Sequence, residues 1–268
     1  MREILLLSPR VSDAANIVPL VPGTAHGSLG VGNLLRPQPS DVCRFYPSES
    51  TSPTVGVILD FGVPVTFDTA WLGYHTGTED GTWKISAEGG SGMLDLPVGF
   101  DPQPLIPPGV NPEEWGGVTH SLQTFPPVSR RYWTVEIDDP GRYGQYIDVG
   151  RLILGLAYRP AQGVEYGAQH GIEEGVTTVY SQGGEVYKRG SQKRLWQKVS
   201  WTCFTQNEAL EALRIGLECG SSQPVVLCTD LGRPFEHTVY GTMSTPVSFT
   251  VPAYSIYTIE MQVTEVPR

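Results

Sequence analysis

The sequence predicts a mainly β protein: a β-sandwich followed by a second β-rich domain carrying one packed helix. Three observations carry this reading. The 268 residues hold 31 glycines and 23 prolines, 10% aromatic residues and only 17% charge, a balance of short strands and turns, not of long charged helices. Apolar runs rich in β-branched and aromatic residues recur between Gly, Pro, Asp and Ser clusters. Only one segment has the spacing and caps of a substantial helix.

In chain order, residues 1–32 read as a strand followed by a flexible arm, since Gly23–Asn33 is glycine-rich without a phosphate-loop or dinucleotide spacing. Residues 33–160 read as the sandwich, with strands at Thr54–Asp60, Thr69–Tyr74, Gly81–Ala87, Arg131–Ile137 and Tyr146–Leu154. Within it, Asp101–Pro112 carries five prolines, which lack backbone donors, and is expected as a long unpaired loop. A boundary is expected near residue 160, within the linker-like stretch Tyr158–Gly163 that follows Gly155. Residues 161–268 form the second domain, with strands at Gly175–Tyr180, Leu195–Phe204, Pro224–Cys228, His237–Tyr240 and Ser255–Val263. The helix is expected over 205–218. Thr205 and Glu208 have capping-box spacing, Leu210, Leu213 and Leu217 should face a sheet, and Gly220 closes the end.

Charge and motifs narrow the function. Eighteen Lys and Arg against 28 Asp and Glu give −10, which argues against nucleic acid as a partner. No apolar run has the length of a membrane span, and a product made in the cytosol is expected. Four cysteines without a C-x-x-C pair and five dispersed histidines give no metal site and no disulfide framework. No nucleophile elbow is present, adjacent carboxylates such as Glu113–Glu114 do not make a glycosidase pair, and neither catalysis nor a cofactor is expected.

Two sets of residues remain as candidate sites. At the loop tip after Tyr74, His75, Glu79 and Asp80 between Trp71 and Trp83 offer polar groups beside ring faces, as a sugar would require. The basic residues Lys188, Arg189, Lys193 and Arg194, with Pro104, Pro107 and Pro108 of the proline-rich loop, are candidate assembly contacts, a local positive patch being suited to an acidic neighbour.

The segments Asn33–Val42, Val57–Gly62, Phe67–His75, Trp83–Ala87, Arg131–Pro140 and Tyr146–Leu152 resemble, in order and spacing, the galactose-binding-like (discoidin-type) jelly-roll sandwich of minor tail proteins from tailed bacteriophages. Gly183–Tyr187, Pro224–Asp230 and Tyr240–Met243 resemble the C-terminal β-domain of the same tail proteins. The resemblance implies a structural protein of a long non-contractile tail, at its tip or baseplate. It would be assembled in the host cytoplasm into the virion and would contact other tail-tip proteins and copies of itself in a ring of three or six. A host-surface glycan is a further expected partner. The alternative is a carbohydrate-binding module for host adsorption, and the third reading is a glycan-cleaving enzyme.

Overall fold

The computed structural model describes the chain apart from residues 1–2, 49–52, 90–96, 116, 118, 164, 166, 182–185 and 268. Its strands are β1 (Leu5–Leu7), β2 (Asn16–Pro19), β3 (Cys43–Phe45), β4 (Thr54–His75), β5 (Thr82–Glu88), β6 (Val98–Gly99), β7 (Gln103–Pro104), β8 (His120–Asp138) and β9 (Ile147–Gly155). There follow β10 (Gln169–Tyr180), β11 (Val186–Cys203), α1 (Gln206–Cys219), β12 (Val225–Cys228), the single turn α2 (Pro234–His237), β13 (Thr238–Ala253) and β14 (Ile256–Glu265). Two compact units result, one built mainly from Leu7–Ala157, the other from the first residues through Leu6 with Tyr158–Gly232 and His237–Pro267.

The first unit is a curled antiparallel sheet in the order β3-β9-β4-β8-β5-β6, with β2 added on β4 and β7 on β5. Its main beam is β4, which the sequence suggests as two strands. The register with β8 breaks between Asp60 and Val65 and again between Phe67 and Thr69. At the first break the Asp60 carboxylate accepts the Gly62 N–H at 2.8 Å, Gly62 takes φ +73°, and Pro64 follows, so the strand bends without ending. At the second break Phe125, Pro126 and Pro127 lie unpaired, where the missing proline donors cost no ladder bond. The bent sheet closes over Phe67, Trp83, Phe125, Trp133, Leu72, Val135 and Ile147, all buried. Phe67 and Phe125 meet Trp133 with ring centres 5.0 and 5.8 Å apart.

Two expectations for this unit need correction. The glycine-rich segment is tied to β3 through Ala25 opposite Phe45, with His26 N–H donating to Arg44 O and Arg44 N–H to Leu29 O. Backbone pairing thus fixes what the glycines suggested as an arm. The proline-rich segment also pairs: Gln103 and Pro104 lie opposite Trp83 and Thr82, and Leu105 N–H donates to Gly81 O. An edge position lets Pro104 take part without its N–H, and burial of Leu105 and Ile106 anchors the loop, while Pro108 is exposed and Pro107 half-buried.

The second unit is a six-stranded sheet in the order β1-β12-β13-β14-β11-β10, in which the expected N-terminal strand, β1, takes one end. Alternation along β11 buries Gln197, Val199, Trp201 and Cys203. Helix α1 begins as its caps dictate: Thr205 Oγ1 accepts the Glu208 N–H at 3.3 Å, and Gly220 follows the last turn at φ +55°. Glu208 does not reach back to complete a capping box; its Oε1 accepts the Ala161 N–H at 2.7 Å.

The buried stripe of α1 is also not the leucine stripe. Ala209, Ala212 and Cys219 are buried, whereas Leu210 is exposed, Leu213 half-buried and Leu217 86% exposed. Small residues win the inner face because the helix lies close to the sheet: a Cβ on Gly216 would stand 3.0 Å from Val247 Cβ. Ala212→Leu should therefore cost about 1–3 kcal/mol by overpacking. Leu217→Ala should stay within about 0.5 kcal/mol. Urea unfolding midpoints check both, and a Leu217→Ala loss above the Ala212→Leu loss would reverse the assigned face.

Candidate functional site

The sequence-predicted ligand cluster is divided by the fold. Trp71 and Trp83 are each 1% exposed and His75 3%, so neither indole face nor the imidazole is open to a ligand. Trp83 lies in the core, while Trp71 alternates with the core residues Ala70 and Leu72 and is buried on the other face of β4; of the five candidates only Glu79 and Asp80 reach solvent. His75 is a structural latch. Its Nε2 donates to Ser121 Oγ at 3.0 Å, Ser121 Oγ donates to Leu105 O at 2.6 Å, and Gly77 N–H donates to His75 Nδ1 at 3.3 Å. Burial first, then the neighbouring His120 charge, pushes the His75 pKa down to about 3 and keeps the ring neutral. The buried Asp139 carboxylate accepts from Thr78 N–H at 2.8 Å and from Thr78 Oγ1, which fixes the same loop.

Of the predicted basic cluster, the side chains of Lys188 and Arg189 lie outside the described residues. Lys193 is exposed and Arg194 half-buried, and on the adjacent strand they stand opposite Glu174 and Glu173. The positive residues thus have an acidic neighbour within their own sheet.

A different set of residues comes together on the outer face of the first unit, where three backbone segments run side by side. Ala25 pairs with Phe45, and Phe45 with Ile147, all with inward side chains; one residue away, His26, Arg44 and Asp148 form a row across the face. Arg44 Nε and Nη2 donate to Asp148 Oδ1 and Oδ2 at 2.7 and 2.8 Å, a bidentate fork that raises the Arg44 pKa above its ordinary value. The guanidinium lies 3.9 Å over the Tyr146 ring. Tyr46, just past the end of β3, and Tyr146, just before β9, are 43% and 45% exposed.

His26 closes the row, its ring centre 6.2 Å from that of Tyr46. Its Nδ1 accepts from the Ser28 and Leu29 N–H groups, each at 3.3 Å, so the proton of the neutral ring sits on Nε2. Asp148 N–H donates to Thr76 Oγ1 and Thr76 N–H to Asp148 O, which ties the row to the start of the 76–80 loop. The signal for this site was the spacing Arg44-x-Tyr46 and Tyr146-x-Asp148, polar and aromatic residues on the outward face of two strands. The glycine-rich reading of 23–33 hid its third side. Among the described residues no group of three or more His, Cys, Asp or Glu is placed to hold a metal ion, and no helix is long and apolar enough to cross a membrane.

No family model matches the chain, and no curated protein matches it. Solved structures do. A GH29 fucosidase from Ruminococcus gnavus in complex with fucose is 9% identical with a TM-score of 0.39, the match covering 56% of this chain and 26% of the fucosidase. The family 32 carbohydrate-binding module of NanJ from Clostridium perfringens, in complex with galactose, is 10% identical with a TM-score of 0.39, covering 56% of this chain and 98% of the module. A second family 32 module from Clostridium perfringens, in complex with GalNAc-β-1,3-galactose, is 6% identical with a TM-score of 0.39, covering 55% of this chain and 99% of that one. The chain spans about a quarter of the fucosidase. At these values the ligands and activities in those structures do not transfer to it.

Proposed function

We propose that this chain is a non-catalytic carbohydrate-binding module used in attachment to a host surface. The observation that carries the proposal is the outer row of His26, Arg44 and Asp148 beside the exposed rings of Tyr46 and Tyr146. A sugar presents an apolar C–H face and a ring of hydroxyls, and recognition needs an aromatic surface with donors and acceptors fixed at its edge. The row offers both on a rigid sheet. Binding without turnover is supported at the row itself by the Asp148 carboxylate, both of whose oxygens are engaged by Arg44.

The test is binding to an immobilised panel of glycans by the wild type and by Tyr46→Ala and Tyr146→Ala. Each truncation should weaken binding roughly 5- to 30-fold, as loss of an aromatic contact worth about 1–2 kcal/mol does. A panel on which the folded protein binds nothing, or variants that bind as well as the wild type, would overturn the proposal.

A second reading, assembly at a phage tail tip from copies of this chain and other tail proteins, is favoured by β10. It stands at the end of the sheet order and, among the described residues, pairs on one side only, with β11. An open edge is a template for backbone pairing with another chain. Light scattering of the purified chain and a map of the assembled particle test it; a β10 edge that touches no neighbour in the particle would remove its support.

A further inference from the structure

We infer that Asp148 sets the ligand class of the outer row: by occupying the fork of Arg44 it fits the site to uncharged sugars and bars acidic ones. The inference rests on the carbohydrate-binding reading above. Bidentate pairing commits Nε and Nη2 of Arg44 to Asp148 and leaves Nη1. The pair as a whole carries no net charge, so an incoming carboxylate or sulfate meets no uncompensated cation. To capture Arg44 it would have to displace Asp148, whose side chain is only 14% exposed, and leave that carboxylate without its partner. The whole chain is acidic, at −10, which adds a long-range penalty for anions.

An uncharged pyranose meets none of these costs. Arg44 Nη1–H and His26 Nε2–H are donors, the outer lone pairs of Asp148 are acceptors, and the two phenols can be either. The guanidinium covers one face of Tyr146, so the Tyr46 ring and the exposed remainder of Tyr146 are the surface for the C–H face. Asp148 is thus a specificity-determining residue, holding the cation that an acidic sugar would seek.

The experiment is calorimetric titration with methyl galactoside and N-acetylglucosamine as uncharged probes, and with N-acetylneuraminic acid and glucuronic acid as acidic ones, at low and high NaCl. The wild type should bind an uncharged probe with affinity changing less than roughly twofold with salt, and should bind the acidic probes at least roughly tenfold more weakly. Asp148→Asn, which removes the screen, should lose affinity for uncharged probes and gain roughly tenfold for acidic ones, a gain that salt abolishes. Arg44→Gln in the Asp148→Asn background should erase that gain. Thermal melts confirm that each variant is folded, and the wild-type comparison stands even where a variant is not.

Acidic probes binding the wild type as well as uncharged ones, or better, would overturn the role of Asp148 while leaving carbohydrate binding intact. Binding of neither class would overturn the carbohydrate reading itself, and this inference with it.

Discussion

Acidification from neutral pH toward pH 3 is expected to remove about 5 kcal/mol of stability through His75 alone. In the folded protein its pKa lies near 3, against 6.5 for the exposed ring, and 1.36 kcal/mol per unit converts the difference to that figure. The sign follows from proton binding. Above about pH 6.5 both states hold the ring neutral and the latch contributes in full. Below it the unfolded chain takes up a proton that the folded one refuses, so stability falls steadily until the folded pKa is reached.

The refusal has a structural cause. Both ring nitrogens are in use, Nε2 as donor to Ser121 and Nδ1 as acceptor from Gly77, and the site is buried. A proton on Nδ1 would break the Gly77 bond and place a charge among Leu105, Ser121 and His120. Urea titrations at intervals from pH 7.5 to 3.5 should show this slope, and His75→Gln, less stable at neutral pH, should lose it. A wild-type slope unchanged in the variant would assign the acid sensitivity elsewhere. Asp60, whose pKa is lowered to about 2, first by its bonds from Arg131 and then by Gly62 N–H, acts in a separate window. Its contribution is present above about pH 4 and disappears as pH falls through 2.

The same histidine shows where the sequence was legible. The alternation Trp71, Gly73, His75 marks a strand, and the strand is there, but alternation does not say which face is covered. The polar cluster after Tyr74 read as open because a histidine and two tryptophans near a turn suit a ligand as well as they suit a core. Covering comes from Leu105 and Ser121, some 30 and 46 residues away, and no local pattern announces it.

Helix α1 repeats the lesson in another form. Its Thr205 cap and Gly220 stop are local chemistry and lie where the spacing put them, whereas Glu208 turns to Ala161 and the inward face is set by how near the sheet stands, which favours Ala209, Ala212 and Gly216 over three leucines. The outer row was missed for a third reason. Its residues come from three segments, and one of them, around His26, is held by backbone pairing that glycine-rich composition conceals.

Asp13→Ala is expected to cost about 3–5 kcal/mol, the range for breaking a buried ion pair by removing one member. Arg151 on β9 has a side chain that is 0% exposed. Its Nη2 donates to Asp13 Oδ1 and Oδ2 at 2.6 and 2.8 Å, and its Nη1 to Leu34 O at 3.1 Å. Asp13 lies in the short 3-10 turn Ser12–Ala14 and Leu34 in a second one at Val31–Leu35, so one guanidinium pins two stretches of the N-terminal segment to the sheet.

The pair is costly to form. Burial raises the Asp13 pKa even against the pull of Arg151, so desolvation outweighs attraction at the carboxylate. That balance makes a distinctive prediction: removing both charges should hurt less than removing one. The double variant Asp13→Ala with Arg151→Leu keeps an apolar filling and removes the buried cation, and its urea midpoint should lie above that of Asp13→Ala alone. If Asp13→Ala unfolds at the wild-type midpoint, Arg151 finds compensation without Asp13. If instead the double variant is the weaker of the two, the guanidinium stabilises through its bond to Leu34 O and its packing, and the ion pair is not what holds the segment down.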